Sequence, residues 1–179
     1  MKLYTILIYS ENVPGLLSQI SAIFTRRQVN IETLNVSASS TPGVHKYTVT
    51  CYCSEAMVIM LTKQIEKRID VLQARYYTDD EIFINETSLL KISTPVMLDD
   101  PRVSEAIREH HAHIIEVNPT YSTAEKTGST EEILSLYNTL NAIGAVLQFV
   151  RSGRICITKS KAEHLDEFIA RREREKEGL

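Results

Sequence analysis

The segment from Ser10 to Ser37 contains the residues best suited to binding a small anion. In it, the turn Asn12-Val-Pro14-Gly15 precedes an apolar pattern with helical spacing. Pro14 has no amide hydrogen and suits the first turn of a helix, while Gly15 has no Cβ that would keep a ligand off the backbone. The free amides at such a helix N-terminus carry the positive end of the helix dipole, so they can bind a carboxylate.

Two asparagines could complete this site. Asn12 lies in the turn and Asn30 follows the predicted helix, so their side-chain amides could bind the polar groups of the same ligand. The alternative is structural, with Asn12 capping the helix and Asn30 starting a strand. The residues alone leave both interpretations open.

Other reactive residues form no recognisable catalytic motif. The sequence contains no glycine-rich phosphate loop, no His-Glu-x-x-His helix and no nucleophile turn. His110, His111 and His113 straddle a predicted helix end and strand start, so their side chains should diverge and we expect no metal site. Cys51 and Cys53 lie two apart on a predicted strand and are interpreted as small core residues. We therefore expect a protein without its own catalytic residues.

Length and composition indicate a folded protein of ordinary charge. The 179 residues could form two compact domains of about 80 to 90 residues each. A net charge of −3 with 43% hydrophobic residues indicates a globular protein that does not bind nucleic acid. No apolar run reaches the roughly 18 residues needed to span a bilayer, and the apolar stretch after Lys2 has no cleavage site behind it. We expect a cytoplasmic protein with no membrane contact.

Hydrophobic periodicity predicts the order βαββαβ in the first half of the chain. The predicted elements are a strand over residues 2–9, a helix from about Pro14 to Arg27, strands over Asn30–Ser39 and Lys46–Cys53, a helix from Ser54 to about Arg68, and a strand over Val71–Tyr77. The acidic segment at residues 78–81 then interrupts the pattern, which places a domain boundary there or shortly after.

The second half repeats this order and adds a strand. The predicted elements are a strand over Thr87–Ser93, a helix from Asp100 to about His111, strands over Ile114–Val117 and Tyr121–Lys126, a helix after the capping box Ser129–Glu132, and strands over Ala145–Val150 and Arg154–Thr158. The predicted fold class is α+β, with two tandem ferredoxin-like βαββαβ domains at residues 1–79 and 80–160. Residues 161–179 form a charged tail, predicted to be a helix from Lys161 to Glu177.

The order and spacing of several short strings resemble the small regulatory subunit family of acetolactate synthase, also called acetohydroxyacid synthase. In the first half, the strings that resemble this family's amino-acid-binding ACT domain are Glu11-Asn12-x-Pro14-Gly15-x-Leu17-Ser18 and Asn30-Ile31-Glu32-Thr33-Leu34. In the second half they are Leu90-Lys91-Ile92, Ile115-Glu116-Val117, Thr127-Gly128 and Val150-Arg151-Ser152-Gly153-Arg154. The resemblance covers Leu3 to about Lys159.

The resemblance implies a subunit without its own active site that activates a large catalytic subunit and confers feedback inhibition by valine in branched-chain amino acid biosynthesis. Thiamine diphosphate, Mg and FAD would belong to the catalytic subunit, and this chain would carry no cofactor. The valine site would lie between the ACT domains of a homodimer and be lined by Asn12, Pro14, Gly15, Leu16, Asn30 and Ile31. The neighbouring protomer would supply Asn30 and Ile31.

One departure and two alternatives accompany this resemblance. Gln28 stands where the family usually has glycine, so the entry into Asn30 is expected to be strained or shifted. A free-standing tandem ACT sensor acting on gene expression is an alternative, against which the second-half strings argue. A small ferredoxin-like enzyme such as an acylphosphatase should show an arginine and an asparagine around a phosphate loop, and the sequence shows no such arrangement.

Overall fold

The computed structural model describes residues 1–160 and Arg174. The chain forms two compact units, one made of residues 1–83 with the described residues from Cys156 onward, the other of residues 84–155. The predicted tail helix from Lys161 to Glu177 falls, apart from Arg174, outside the described residues. In the described part of the chain, no helix combines the length and the apolar character needed to cross a membrane.

The first unit has the predicted βαββαβ order. Its elements are β1 (Lys2–Glu11), α1 (Leu16–Arg26), β2 (Thr33–Ala38), β3 (Val44–Cys53), α2 (Glu55–Glu66) and β4 (Val71–Tyr77). The antiparallel sheet has the strand order β2-β3-β1-β4, so β1 and β3 are central and β2 and β4 form the edges.

The core of the first unit follows directly from two periodicities. Every second residue of β1 faces the helices, and the apolar residues of α1 and α2 recur at helical spacing on their inner sides. The resulting cluster of nearly fully buried side chains includes Ile6, Ile8, Leu16, Ile20, Phe24, Val49, Val58, Leu61 and Ile65. This packing fixes the position of α1 and hence of the turn that precedes it.

Residues 82–158 contain eight elements. They are β5 (Ile82–Ser93), α3 (Thr94–Asp99), α4 (Pro101–Glu109), β6 (His113–Val117), β7 (Tyr121–Gly128), α5 (Thr130–Ala142), β8 (Val146–Arg151) and β9 (Ile155–Thr158). The strand order is β6-β7-β5-β8, and β9 pairs with β5 off this path. The predicted α+β class with two tandem ferredoxin-like domains is confirmed.

Two local predictions for the second half were wrong. Helix α3 was not predicted, because six residues are too few to display helical periodicity. Strand β5 begins at Ile82 rather than at Thr87. The early part of β5 was missed because Glu86, a charged residue, occupies a buried position where the alternating pattern would place an apolar one.

Candidate functional site

The turn after β1 is held in place by backbone hydrogen bonds. The amide of Glu11 donates to the Asp70 carbonyl at 2.9 Å, and the amide of Asn12 donates to the Gly43 carbonyl at 3.2 Å. The amide of Val13 donates to the Glu11 carbonyl at 3.1 Å. These bonds fix the exit of the chain from the sheet, so the exposed turn is presented in one conformation.

Gly15 is the N-cap of α1 and has a left-handed backbone, with φ 85° and ψ −8°. A Cβ added to Gly15 would meet no atom within 4 Å, so the space around it is open. Glycine is therefore favoured here by its backbone conformation and not by lack of space, because residues with a Cβ adopt a left-handed φ only at an energetic cost. The prediction that Pro14 lies in the first helical turn was wrong, since α1 begins at Leu16.

The first turn of α1 leaves backbone donors available. The amide of Leu16 reaches the Val13 carbonyl only at 3.4 Å, and the amides of Leu17 and Ser18 have no acceptor among the described residues. No side chain caps this helix, so the interpretation of Asn12 as the cap was wrong. Acidic residues are absent from the first turn of α1, and the positive end of the helix dipole is therefore not neutralised there. These amides are suitable donors for an anion.

The remaining predicted site residues differ in how far their side chains are buried. Leu16 is 0% exposed in the first core, so it can offer a ligand only its backbone. Ile31 is half-buried and packs against the same core. Asn30 is exposed and precedes β2, which begins at Thr33, so the interpretation that Asn30 starts a strand was wrong.

Within one chain, the two parts of the predicted site lie at opposite ends of the sheet. Asn30 precedes β2, whose first residue Thr33 lies level with Thr5 of β1 through the intervening strand β3. The Asn12 turn follows Glu11 at the other end of β1, about 20 Å away along the strand. A single chain therefore does not bring Asn12 and Asn30 together.

Two threonines position the segment at Asn30 and were not predicted to belong to the site. The hydroxyl oxygens of Thr33 and Thr50 are 2.6 Å apart, and the Thr33 amide donates to Thr50 Oγ1 at 3.0 Å. The amide of Glu32 donates to the Thr50 carbonyl at 2.8 Å. Thr33 belongs to the string that includes Asn30, but nothing in the sequence near Thr50 indicates this contact, because it depends on the strand register.

Gln28 ends α1 in a left-handed conformation with φ 55°. Its amide donates to the Thr25 carbonyl at 3.0 Å, and the Val29 amide donates to the Phe24 carbonyl at 3.1 Å. This pair of bonds is the Schellman motif, in which glycine is the usual residue at the position of Gln28. The expected strain is present in the dihedral angle of Gln28, while the hydrogen bonds of the helix end all form.

A buried carboxylate in the second unit was also missed. Glu86 accepts a hydrogen bond at Oε2 from Arg151 Nη1 at 3.2 Å, and its Oε1 lies 3.5 Å from Arg154 Nε. The hydroxyl of Thr130 donates to the same Oε1. The first and last residues of the string Arg151-Ser152-Gly153-Arg154 therefore both contact the Glu86 carboxylate. A sequence pattern treats a glutamate as exposed, so it predicts no such contact.

The histidines and cysteines that the sequence singled out are His110, His111, His113, Cys51 and Cys53. His110 caps the end of α4, His111 follows with φ 53°, and His113 begins β6. Among the described residues, no group of three or more His, Cys, Asp or Glu side chains could hold a metal ion. Cys51 and Cys53 lie in the first core with sulfur atoms 4.0 Å apart, and burial raises the pKa of Cys51 to about 12. Both are buried core residues, as predicted.

Two family models match the chain, one in each half. Residues 6–73 match the AHAS small subunit-like ACT domain, and residues 85–160 match the small subunit of acetolactate synthase. The acetolactate synthase small subunit of Mycobacterium avium is 30% identical over 137 residues, which are 76% of this chain and 81% of that protein. This chain belongs to the acetolactate synthase small-subunit family.

Further members of the small-subunit family extend the comparison. A probable acetolactate synthase small subunit from Methanothermobacter thermautotrophicus is 28% identical over 83% of this chain and 88% of its own length. The crystal structure of the Thermotoga maritima acetolactate synthase small subunit has the same fold, with a TM-score of 0.81 at 20% identity. The structural match covers 90% of this chain and 100% of the Thermotoga maritima chain. The predicted family is confirmed.

Proposed function

We propose that this chain is the regulatory subunit of acetolactate synthase and acts in the cytoplasm. It binds the catalytic subunit, raises the activity of that subunit and makes it sensitive to feedback inhibition by valine. Family membership supports the pairing with a catalytic subunit. The observation that carries the valine assignment is the pair of amides at Leu17 and Ser18, which lack acceptors among the described residues and follow an exposed asparagine turn. In this proposal residues 1–79 bind valine and residues 80–160 form the second domain.

Valine has two charged groups and an apolar side chain, and the turn offers partners for the charged ones. The valine carboxylate accepts hydrogen bonds from the amides of Leu17 and Ser18, where the helix dipole adds a favourable field. The side chain of Asn12 is exposed and has no hydrogen-bond partner among the described residues, so its oxygen can accept from the valine ammonium group. Forming these bonds does not require breaking any described protein contact.

A second copy of the chain completes the site. Strand β2 is an edge strand. We infer that two β2 strands pair antiparallel over their full length, which sets Thr33 opposite Ala38 of the partner subunit. Ala38 ends β2 at the same end of the sheet as the Asn12 turn. The pairing therefore moves Asn30 of one protomer towards the Asn12 turn of the other, and it also satisfies edge groups that would otherwise face water.

Catalysis in this proposal belongs to the partner. Thiamine diphosphate, Mg and FAD bind to the catalytic subunit, and this chain contributes no cofactor ligand. Its role is to couple occupancy of the valine site to the activity of the enzyme, which requires that valine and the catalytic subunit interact differently with two states of the assembly.

Reconstitution with the catalytic subunit tests both parts of the proposal. We expect this chain to co-purify with the large subunit and to raise its activity, and we expect valine to inhibit the complex. Asn12→Ala should raise the half-inhibitory valine concentration by about tenfold or more, the usual effect of losing a hydrogen bond to a charged group. The matched control is Asn138→Ala on the exposed side of α5, which should leave inhibition unchanged.

The outcomes separate the proposed function from its alternative. Failure to associate with the catalytic subunit would favour a free-standing sensor. Association without any effect of valine on activity would support the binding of the catalytic subunit and would rule out valine as the effector.

A further inference from the structure

A concave site in the first unit is lined mainly by basic side chains. This basic pocket has a volume of about 410 Å³ and is lined by Ile23, Arg26, Arg27, Gln64, Lys67 and Arg68. No acidic side chain among the described residues lines it. None of the lining residues belongs to the predicted amino-acid site, so the basic pocket is a separate feature of the same unit.

Within residues 1–160, the charges of the basic pocket are not neutralised by an acidic partner. None of its four cationic side chains forms a hydrogen bond or an ion pair with another described residue. The helix dipoles favour one cation at the end of each helix, such as Arg26 for α1 and Lys67 for α2, but they do not require the second cations Arg27 and Arg68. The whole protein has a net charge of −3, so this local excess of positive charge does not follow from composition.

We propose that the basic pocket binds a small polyanion bearing phosphate groups. Its three guanidinium groups present paired N–H donors that match phosphate oxygens, and Lys67 adds a fourth positive charge. The cavity volume falls within the range of small-molecule sites. Ile23, which is almost completely buried, forms an apolar floor, and Gln64 supplies a neutral donor and acceptor. A singly charged amino-acid carboxylate would leave most of these donors unused.

Calorimetric titration of the full-length protein with inorganic pyrophosphate at low salt tests this proposal. We expect saturable binding, and we expect Arg27→Gln and Lys67→Gln each to weaken it by about tenfold or more. Both side chains are exposed, so the melting temperature without ligand should not change. The matched control is Arg108→Gln, since Arg108 is an exposed arginine in the last turn of α4 and should not affect binding.

Three results would overturn the proposal. The first is the absence of saturable heat with pyrophosphate. The second is equal binding by the pocket variants and the Arg108→Gln control, which would indicate diffuse attraction to surface charge. The third is equal affinity for citrate, a polyanion that carries carboxylates instead of phosphates. The charge-conserving Arg27→Lys variant should retain more affinity than Arg27→Gln.

Discussion

Arg151 Nη1 donates a hydrogen bond to Glu86 Oε2 at 3.2 Å, and the Glu86 side chain is 0% exposed. Arg154, whose side chain is nearly buried, lies on the other carboxylate oxygen. Removing the carboxylate charge takes away the anion that both arginines contact, at a position where the Glu86 side chain is fully buried. We expect Glu86→Gln to lower the free energy of unfolding by about 2 to 4 kcal/mol, as measured by urea denaturation.

The exposed ion pair between Asp100 and Arg102 is the control for this prediction. Its atoms approach to 2.6 Å, but the Arg102 side chain is 69% exposed. Water screens such a pair, so Arg102→Ala should cost at most about 1 kcal/mol. An equal decrease in the free energy of unfolding for Glu86→Gln and Arg102→Ala would mean that the buried carboxylate contributes no more to stability than an exposed one.

The left-handed residue at the end of α1 predicts a stabilising substitution. Gln28→Gly removes the steric cost of φ 55° and should raise the free energy of unfolding by about 1 kcal/mol. The matched control is Gly144→Ala, because Gly144 has φ 78° and occupies the same position in the Schellman motif of α5. It should destabilise by a similar amount. Gln28→Gly without any gain would show that the side chain has compensating interactions.

The charge preference of the α1 N-terminus can be tested at Gly15. Because φ is 85° there, Gly15→Asp and Gly15→Asn should lose similar stability, as both residue types tolerate this region comparably. Only the aspartate repels the valine carboxylate, by roughly 1 to 4 kcal/mol depending on solvent access, so it should weaken inhibition about fivefold to several-hundredfold more. Inhibition curves of the reconstituted enzymes, compared with melting temperatures, provide the measurement. Identical curves for the two variants would reject the anion site.

The proposed dimer depends on the exposed edge strand β2. A charge on this edge should block strand pairing, so Val36→Glu should give a folded monomer that no longer responds to valine. Light scattering at micromolar concentration measures the mass. The matched control is Val150→Glu in the second unit, since Val150 is 48% exposed and Val36 39% exposed. A dimeric Val36→Glu protein would place the interface elsewhere.

The capping box of α5 predicts a dependence of stability on pH. Glu132 Oε2 accepts from the Ser129 amide at 2.7 Å, and this bond holds the pKa of Glu132 below its ordinary value of 4.5. The bond therefore stabilises the fold above about pH 4.5, and this stabilisation is lost as the pH falls through the lower folded-state pKa. Glu132→Gln should be less stable than the native protein at neutral pH, with the difference shrinking in acid. A stability difference that stays constant down to acid pH would contradict this prediction.

Much of the fold could be predicted because it depends on local chemistry. Strand alternation and helical spacing predicted the βαββαβ order, and Ser129 with Glu132 predicted the start of α5, since each signal lies within a few residues. The turn at Asn12 could be predicted for the same reason. The short helix α3 could not, because six residues do not define a period.

The sequence by itself determined the family, the order of the elements other than α3, and the presence of free donors at the α1 N-terminus, because these follow from neighbouring residues. Only the tertiary structure decided that Glu86 is buried against Arg151 and Arg154, and that Thr50 holds the start of β2. Only strand register shows that Asn12 and Asn30 lie at opposite ends of one sheet. Pairing across strands joins residues that are distant in sequence, so no local pattern encodes these contacts.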